Sequence, residues 1–208
     1  MDMAKNLIVT IGRQYGSGGR EIGRTLAEKL GIGFYDKELL DRAAQESGIS
    51  QEIFAKVDEQ PTNSFLYSLS LGSAAMGTGF MATPDYLTND KLFALQSETI
   101  RRIAAEQSCV IIGRCADYVL RDNPGMVSLF IHADMERRVA RLCECTKLTA
   151  DQVRQEIKRT DRRRSNYYNY FTDRSWGSPD NYDLSINSGK LGSGKTVDAI
   201  AHFITLAR

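Results

Sequence analysis

The first strand-like run of the chain leads through a cluster of glycines straight into a helical pattern. The run NLIVTIG at 6–12 is rich in β-branched side chains and predicts a buried strand. The segment GREIGRTLAEKLG at 19–31 repeats apolar residues every four positions, which predicts a helix that ends at Gly31. A strand joined to a helix by a short turn is the basic unit of α/β folds, so the chain is expected to belong to that class.

The same alternation continues along the chain. Further strands are predicted at 108–113, 126–133 and 182–188, and 32–36 is predicted to be a short strand or an extended link. Helices are predicted at 37–48, 50–59, 90–107, 114–122, 134–146, 149–171 and 193–207. Asp134 is expected to cap one helix, and Thr149 and Gln152 form the pattern of a capping box. Apolar strands that alternate with helices indicate about five parallel strands with helices on both faces.

Composition limits the function. The chain has 208 residues, 42% of them hydrophobic, which suits one globular domain over 1–208 with a sizeable core. A formal net charge of +1 supplies no overall field for nucleic acid or membrane, so any charge effect must be local. No stretch approaches the length of a membrane-spanning helix, and the N-terminus lacks the apolar run of a signal peptide.

Four cysteines, at 109, 115, 143 and 145, are expected to remain reduced thiols in the cytoplasm. Cys143 and Cys145 suggest a metal, but no second pair or histidine cluster completes four ligands. No metal-ligating residue is therefore predicted.

Residues 61–90 differ from the rest in being rich in Ser, Gly, Thr and Met. A connection of this length is usually functional or disordered. We interpret it as a mobile segment beside the place where a small acceptor molecule binds, and we expect it to become ordered when that acceptor binds. A passive surface loop is the alternative.

Two strings compete as the phosphate-binding loop. GKLGSGKT at 189–196 matches the complete pattern G-x-x-x-x-G-K-[ST]. GRQYGSGGRE at 12–21 lies after the first strand, where a nucleotide-binding fold has this loop, but it has no lysine. Only twelve residues follow Thr196, and the fold needs later strands to supply metal, acceptor and lid groups. We therefore assign phosphate binding to the N-terminal string and a helix-capping role to the C-terminal one.

A phosphate at the N-terminal string would meet unpaired amide groups and the positive end of the helix dipole. Glycines at 16, 18 and 19 allow the backbone to come close to the oxygens. The structural alternative is a plain glycine turn at a helix N-terminus.

With these motifs the sequence resembles, over nearly its whole length, the cytidylate kinase-like branch of the P-loop nucleoside monophosphate kinases. GSGGRE at 16–21 lies where those kinases have GSGKGT, and IIGRCAD at 111–117 lies where they have DGRDIGT. DRRR at 161–164 keeps the D-x-x-R of their lid, and DKELLDR at 36–42 keeps the ends of their D-T-G-x-x-Y-R.

The resemblance implies a P-loop three-layer fold with a helical lid at 147–178, and transfer of phosphate from ATP, with Mg²⁺, to a nucleoside monophosphate, CMP or dCMP first. The residues that it implies for ATP are Arg13, Gly16, Ser17, Gly18, Gly19, Arg20 and Glu21. Those for the acceptor are Asp36, Arg42, Arg114 and Asp117. Those for catalysis are Arg159, Asp161, Arg162 and Arg164.

The sequence also departs from this pattern. Gly19 occupies the lysine position, and Glu21 occupies that of the hydroxyl that binds magnesium. Ile112 and Cys115 stand where the family has aspartates, one near the metal and one that helps to read cytosine. Arg13 or Arg20 could replace the lysine. The alternative function is a non-catalytic module that binds or senses nucleotides.

Seven basic residues lie between Arg154 and Arg174 against three acidic ones. Lid arginines that stabilise transferring phosphate would explain this charge, and a solvated helix face is the alternative. The aromatic run at 166–171 could stack on nucleic acid, but it is better explained as packing of the lid helix. The low net charge also argues against a nucleic-acid partner.

Overall fold

The fold is built on one parallel sheet, seen in a computed structural model that describes residues 6–36 and 89–207. Its strands are β1 (Ile8–Arg13), β2 (Gly33–Tyr35), β3 (Cys109–Ile112), β4 (Met126–His132) and β5 (Leu184–Asn187). Their order is β2-β3-β1-β4-β5, and every neighbouring pair is parallel. All five predicted strands are confirmed, and β1 occupies the centre of the sheet.

Six α-helices lie in the described residues. They are α1 (Gly19–Leu30), α2 (Asn89–Glu106), α3 (Ala116–Val119), α4 (Met135–Cys145), α5 (Ala150–Thr172) and α6 (Ser188–Leu206), with a 3₁₀ turn at Pro179–Asn181. The helices predicted at 37–48 and 50–59, and residues 61–88 of the segment predicted to be mobile, lie outside the described residues.

The side chains of β1 alternate between the two faces of the sheet. Val9 and Ile11 pack in one buried cluster with Ile22 of α1 and Ile200 of α6. Ile8 packs in a second cluster, on the face covered by α2. Because side chains alternate along a strand, a central strand with apolar residues in both sets must be covered on both faces. The predicted three-layer α/β architecture is confirmed.

Two helix boundaries differ from the predictions. The helix predicted at 114–122 shortens to α3 because Arg114 and Cys115 have left-handed backbone angles, with φ of 60° and 54°. Helix α6 starts at Ser188 rather than 193, since the Asn187 side chain accepts a hydrogen bond from the Gly189 amide and caps it. Gly192, with φ of 75°, interrupts that helix.

The predicted caps are also resolved. Thr149 and Gln152 form the complete capping box of α5, with the Thr149 amide donating to the Gln152 Oε1 at 2.9 Å. Asp134 is the N-cap residue of α4, as predicted, but its side chain makes no capping hydrogen bond. Its backbone alone begins the helix.

A glycine in α1 allows that helix to lie close to the sheet. A Cβ added at Gly23 would come within 2.6 Å of the Cδ1 of Ile112 and 3.1 Å of the Cδ1 of Ile11. Both isoleucines are buried, so neither can move aside cheaply.

We therefore expect Gly23→Ala to lower the free energy of unfolding by about 1–2 kcal/mol, since overpacking outweighs the better helix propensity of alanine. Gly194→Ala in α6 is the matched control, because a Cβ there meets nothing within 4 Å. It should raise the stability by about 0.5–1 kcal/mol. Urea unfolding of the two variants checks this, and a Gly23→Ala protein as stable as wild type contradicts the close packing.

Candidate phosphate-binding and acceptor site

The N-terminal glycine string forms a tight loop between β1 and α1. Gly16 and Gly18 have φ of 81° and 80°, a left-handed conformation that favours glycine. Ser17 between them is buried and donates its hydroxyl to the Gln14 carbonyl at 2.9 Å. Gly18 is the N-cap residue, so the first amides of α1 point out of the loop towards any bound anion.

A cavity of about 580 Å³ opens over this loop. Its charged lining consists of Arg13, Arg20, Glu21, Arg24, Asp36, Arg141 and Arg164. Five arginines against two carboxylates concentrate positive charge here, although the chain as a whole carries only +1. Positive charge concentrated in a cleft favours an anionic ligand.

Each carboxylate of the cavity is paired with an arginine. The Arg20 Nε donates to the Asp36 Oδ2 at 2.6 Å, and Arg141 of α4 pairs with Glu21 of α1. The Arg141 guanidinium lies against the loop itself, with its central carbon 3.1 Å from where a Cβ on Gly18 would be. An ion pair between α1 and α4 therefore forms part of the cavity lining.

Asp161 lies beneath the loop rather than in the cavity lining. One of its carboxylate oxygens accepts a hydrogen bond from the Tyr15 amide at 2.7 Å, and the other pairs with Arg138. Arg138 also donates to the Tyr15 carbonyl at 3.3 Å. Asp161 thus connects α5 with the loop and with α4.

The three arginines predicted to clamp the transferring phosphate have different positions. Arg164 lines the cavity, donates its Nη1 to the Arg13 carbonyl at 3.1 Å and lies over the Tyr15 ring. Arg159 is 77% exposed and pairs with Glu156 one turn earlier on the same helix. Arg162 is exposed, and neither it nor Arg159 lines the cavity.

The turn after β3 holds the predicted acceptor residues. Gly113, Arg114 and Cys115 are three consecutive residues with positive φ, two of them not glycine. Such a conformation costs free energy and is concentrated at functional sites. Arg114 is 8% exposed, and burial lowers the pKa of its guanidinium to about 10, with the nearby charges of Arg13 and Arg164 acting in the same direction.

Asp117 follows on α3 and is also buried. Its carboxylate accepts a hydrogen bond from the Tyr168 hydroxyl at 2.7 Å, which links α3 to α5. Burial raises the pKa of Asp117, against the effect of that hydrogen bond. Arg42, the remaining predicted acceptor residue, lies outside the described residues.

The C-terminal string GKLGSGKT adopts a different structure from the loop. Its residues belong to α6, interrupted only at Gly192. Thr196 is fully buried and donates its hydroxyl to the Gly192 carbonyl at 2.7 Å, while Lys195 is exposed. The residues of the string therefore lie along a kinked helix and form no strand–loop–helix cradle.

The beginning of α6 nevertheless reaches the N-terminal loop. The Ser188 hydroxyl donates to the Ser17 carbonyl at 2.7 Å. Gly189, Gly192 and Ser193 line, together with Gly16, a smaller cavity of about 150 Å³ that lies beside the loop. The C-terminal string thus contributes a wall to the site.

Sequence reasoning missed two of the cavity arginines, Arg24 and Arg141. Arg24 lies one turn after Arg20 on α1, and Arg141 lies three residues after Arg138 on the helix that follows β4. Basic residues at helical spacing just after a strand were the available signal.

Among the described residues, no helix has both the length and the apolar character needed to cross a membrane. The same residues contain no cluster of three or more His, Cys, Asp or Glu side chains that could hold a metal by themselves.

Comparisons with known proteins agree with this architecture. An uncharacterized protein from Eubacterium ventriosum ATCC 27560 has a crystal structure that covers 96% of this chain and 99% of its own, with 28% identity and a TM-score of 0.72. Among functionally curated proteins, none matches the chain.

Two shikimate kinases share the fold alone. The enzyme from Bacteroides thetaiotaomicron covers 96% of this chain and 98% of its own, with 12% identity and a TM-score of 0.56. The enzyme from Acinetobacter baumannii, in complex with shikimate, covers 99% and 96%, with 12% identity and a TM-score of 0.53. The model of the Cytidylate kinase-like family matches residues 8–190, and the chain therefore belongs to that family.

Proposed function

We propose that this protein transfers the terminal phosphoryl group of ATP to a nucleoside monophosphate, with CMP or dCMP as the first candidates. The observation that carries the proposal is the five-arginine cavity over a glycine loop at a helix N-terminus. That combination suits a polyphosphate chain, and membership of a kinase-like family supports its use in phosphoryl transfer. The preference for cytidine rests on the family resemblance alone.

The residues of the loop fit the phosphates of ATP. Gly16 and Gly18 give the loop its left-handed turns, and a Cβ at either position would crowd α4. In this proposal Gly16, Ser17, Gly18 and Gly19 surround the phosphates with backbone amides. Glu21 is a carboxylate of the cavity lining and would supply an oxygen ligand to Mg²⁺, which neutralises charge on the phosphates when bound.

The acceptor phosphate is assigned to Arg114 and its surroundings. A buried guanidinium forms strong paired hydrogen bonds with a dianion, because water does not compete for its donors. The strained turn at 113–115 holds Arg114 in this position. Asp36, Asp117 and Arg42 would complete the acceptor side.

Catalysis is then a matter of positioning and charge, since the acceptor phosphate attacks in line and no protein nucleophile is needed. Arg164 is the lid arginine nearest to the loop and would meet the charge that develops on the transferring group. Asp161 would act by holding the loop. Arg159 and Arg162 would join only if the lid moves inward.

The reaction would take place in the cytoplasm.

One observation favours a second function, a nucleotide-sensing module without turnover. Glu21, at the position of the hydroxyl that binds magnesium in the family pattern, pairs with Arg141 in the cavity lining. The two functions separate in an assay of ADP release from Mg-ATP with a panel of nucleoside monophosphates and other small acceptors, against an ATP-only control. Release that depends on one acceptor supports the kinase, and ATP binding without release supports the sensor.

The N-terminal loop, rather than the C-terminal string, is expected to bind the ATP phosphates. Gly18→Val should weaken ATP binding by about a hundredfold or more, because it strains a left-handed residue and fills the phosphate cradle. Lys195→Ala should leave the dissociation constant within about twofold, since an exposed lysine outside the cradle contributes little. Calorimetric titration with ATP measures both.

Gly31→Val is the matched control for backbone strain. Gly31 ends the same helix with φ of 65°, and a Cβ there meets nothing within 4 Å. It should destabilise the protein yet keep ATP affinity. Loss of binding in Lys195→Ala but not in Gly18→Val would reverse the assignment of the two strings.

Arg164→Ala is expected to lower kcat by a factor on the order of 10³, with a much smaller effect on ATP dissociation. An arginine that meets charge in the transition state contributes where that charge develops. Arg163→Ala, an exposed arginine on the same helix, should keep full turnover. Steady-state kinetics and equilibrium ATP binding distinguish the two effects, and full turnover in Arg164→Ala would leave the helix as a solvated basic face.

A further inference from the structure

The phosphate loop departs from the usual pattern at two positions in a reciprocal way. The pattern G-x-x-x-x-G-K has glycine first and lysine seventh. Residues 13–19 read RQYGSGG, with a basic residue first and glycine seventh. The loop therefore still contains a basic residue, but it is Arg13 at the first position, and the glycine expected there is Gly19 at the seventh.

The structure links these two positions by direct steric exclusion. A Cβ built on Gly19 would lie 2.6 Å from the Cβ of Arg13 and 3.1 Å from its Cγ. Non-bonded carbon atoms do not approach so closely, since their optimal separation is about 3.5–4.0 Å. A side chain at position 19 would therefore collide with the side chain at position 13. The two departures are thus a single exchange.

The space released by Gly19 is the path along which the Arg13 side chain leaves β1. Its guanidinium reaches the turn after β3, where the Nη1 lies 2.1 Å from the position of a Cβ on Gly113. Gly113 has φ of 72° and likewise has no side chain to obstruct the arginine. Arg164 donates a hydrogen bond to the Arg13 carbonyl at 3.1 Å, which fixes the backbone from which the side chain starts.

We propose that Arg13 is the phosphate-binding cation of this loop and replaces the lysine of the usual pattern, an inference that rests on the proposed function. Arg13 lines the 580 Å³ cavity, and its side chain passes beside the first residue of α1. Its ligand is the β-phosphate of a nucleoside diphosphate, or the β- and γ-phosphates of a nucleoside triphosphate. A guanidinium offers a planar fork of donors, which suits two phosphate oxygens at once.

The neighbouring cations are less suited to this role. Arg20 is 59% exposed, pairs with Asp36 and lies one residue beyond the lysine position. Arg141 belongs to a different helix, α4, pairs with Glu21 and approaches the loop at Gly18 rather than at Gly19. Arg13 alone among the three is coupled sterically to the residue at the lysine position.

The first experiment measures dissociation constants of ATP, ADP and AMP by calorimetry without any acceptor. Arg13→Ala should weaken ATP and ADP binding by about tenfold to a hundredfold, the usual loss for a hydrogen bond to a charged group, and AMP binding by less than about threefold. The double variant Arg13→Gly with Gly19→Lys restores the usual pattern. It should recover most of the lost ATP affinity.

Arg163→Ala is the charge-matched control and should bind all three nucleotides as wild type does. If wild type binds ATP and Arg13→Ala binds it equally well, the assignment of Arg13 is overturned while the proposed function stands. If the loss in Arg13→Ala is the same for AMP as for ATP, Arg13 does not contact the β- and γ-phosphates and the assignment is again overturned. If wild type binds none of the nucleotides, the proposed function and this inference both fail.

A second experiment tests the exchange without nucleotide. Gly19→Ala should lower the melting temperature by about 5 °C in the wild-type background, because its Cβ collides with Arg13. In the Arg13→Gly background the same substitution should cost about 1 °C or less. Strictly additive effects in this double-mutant cycle would show that residues 13 and 19 do not exclude each other, and would overturn the exchange.

Discussion

The site depends on the way in which Asp161 and Arg138 hold the backbone of Tyr15. The Asp161 carboxylate accepts the Tyr15 amide, and Arg138 donates to the Tyr15 carbonyl and pairs with Asp161. The Arg138 side chain is 7% exposed, so removal of either partner leaves a poorly solvated charge. Because the pair belongs to α4 and α5, the loop has its shape only when both helices are docked.

Five arginines line the cavity although the chain as a whole is nearly neutral. The arginines come from β1, α1, α4 and α5, and the charges of Arg20 and Arg141 are offset locally by Asp36 and Glu21. A bound polyanion would replace these internal partners by stronger ones. The left-handed backbone of Arg114 and Cys115 also costs free energy, and packing of the surrounding core must hold these residues in that conformation.

Much of the fold could be predicted from the sequence, and the reason is visible in particular elements. Strands β1, β3 and β4 have apolar residues on both faces. In the sequence each is a short continuous apolar run, a pattern typical of a buried strand. The capping box of α5 is a local signal and was found for that reason. The left-handed turn at Arg114 and Cys115 has no residue signature, so the length of α3 could not be predicted.

The site was less predictable, because its geometry depends on contacts between distant segments. The loop glycines and Arg164 line the cavity, and the sequence pointed to them because the former are a local pattern and the latter belongs to a short motif. Their roles in binding and catalysis stay predictions. Arg24 and Arg141 were missed, as their side chains converge only after α1 and α4 pack on the same end of the sheet. The contact of Asp161 with the Tyr15 amide joins residues 146 positions apart and has no sequence signal.

The Ser188 hydroxyl joins the beginning and the end of the described chain, and this matters for the order in which the parts of the fold form during synthesis. It donates to carbonyls of Ser17 and His132, and the first of these partners is 171 positions away. Helix α6 also shares the core with α1. The first strand–helix unit therefore leaves the ribosome long before the segment that completes it, and such long-range pairing slows folding. A chain that stops before residue 188 lacks Val197, Ile200 and Ile204, the side chains of α6 that complete the core around α1.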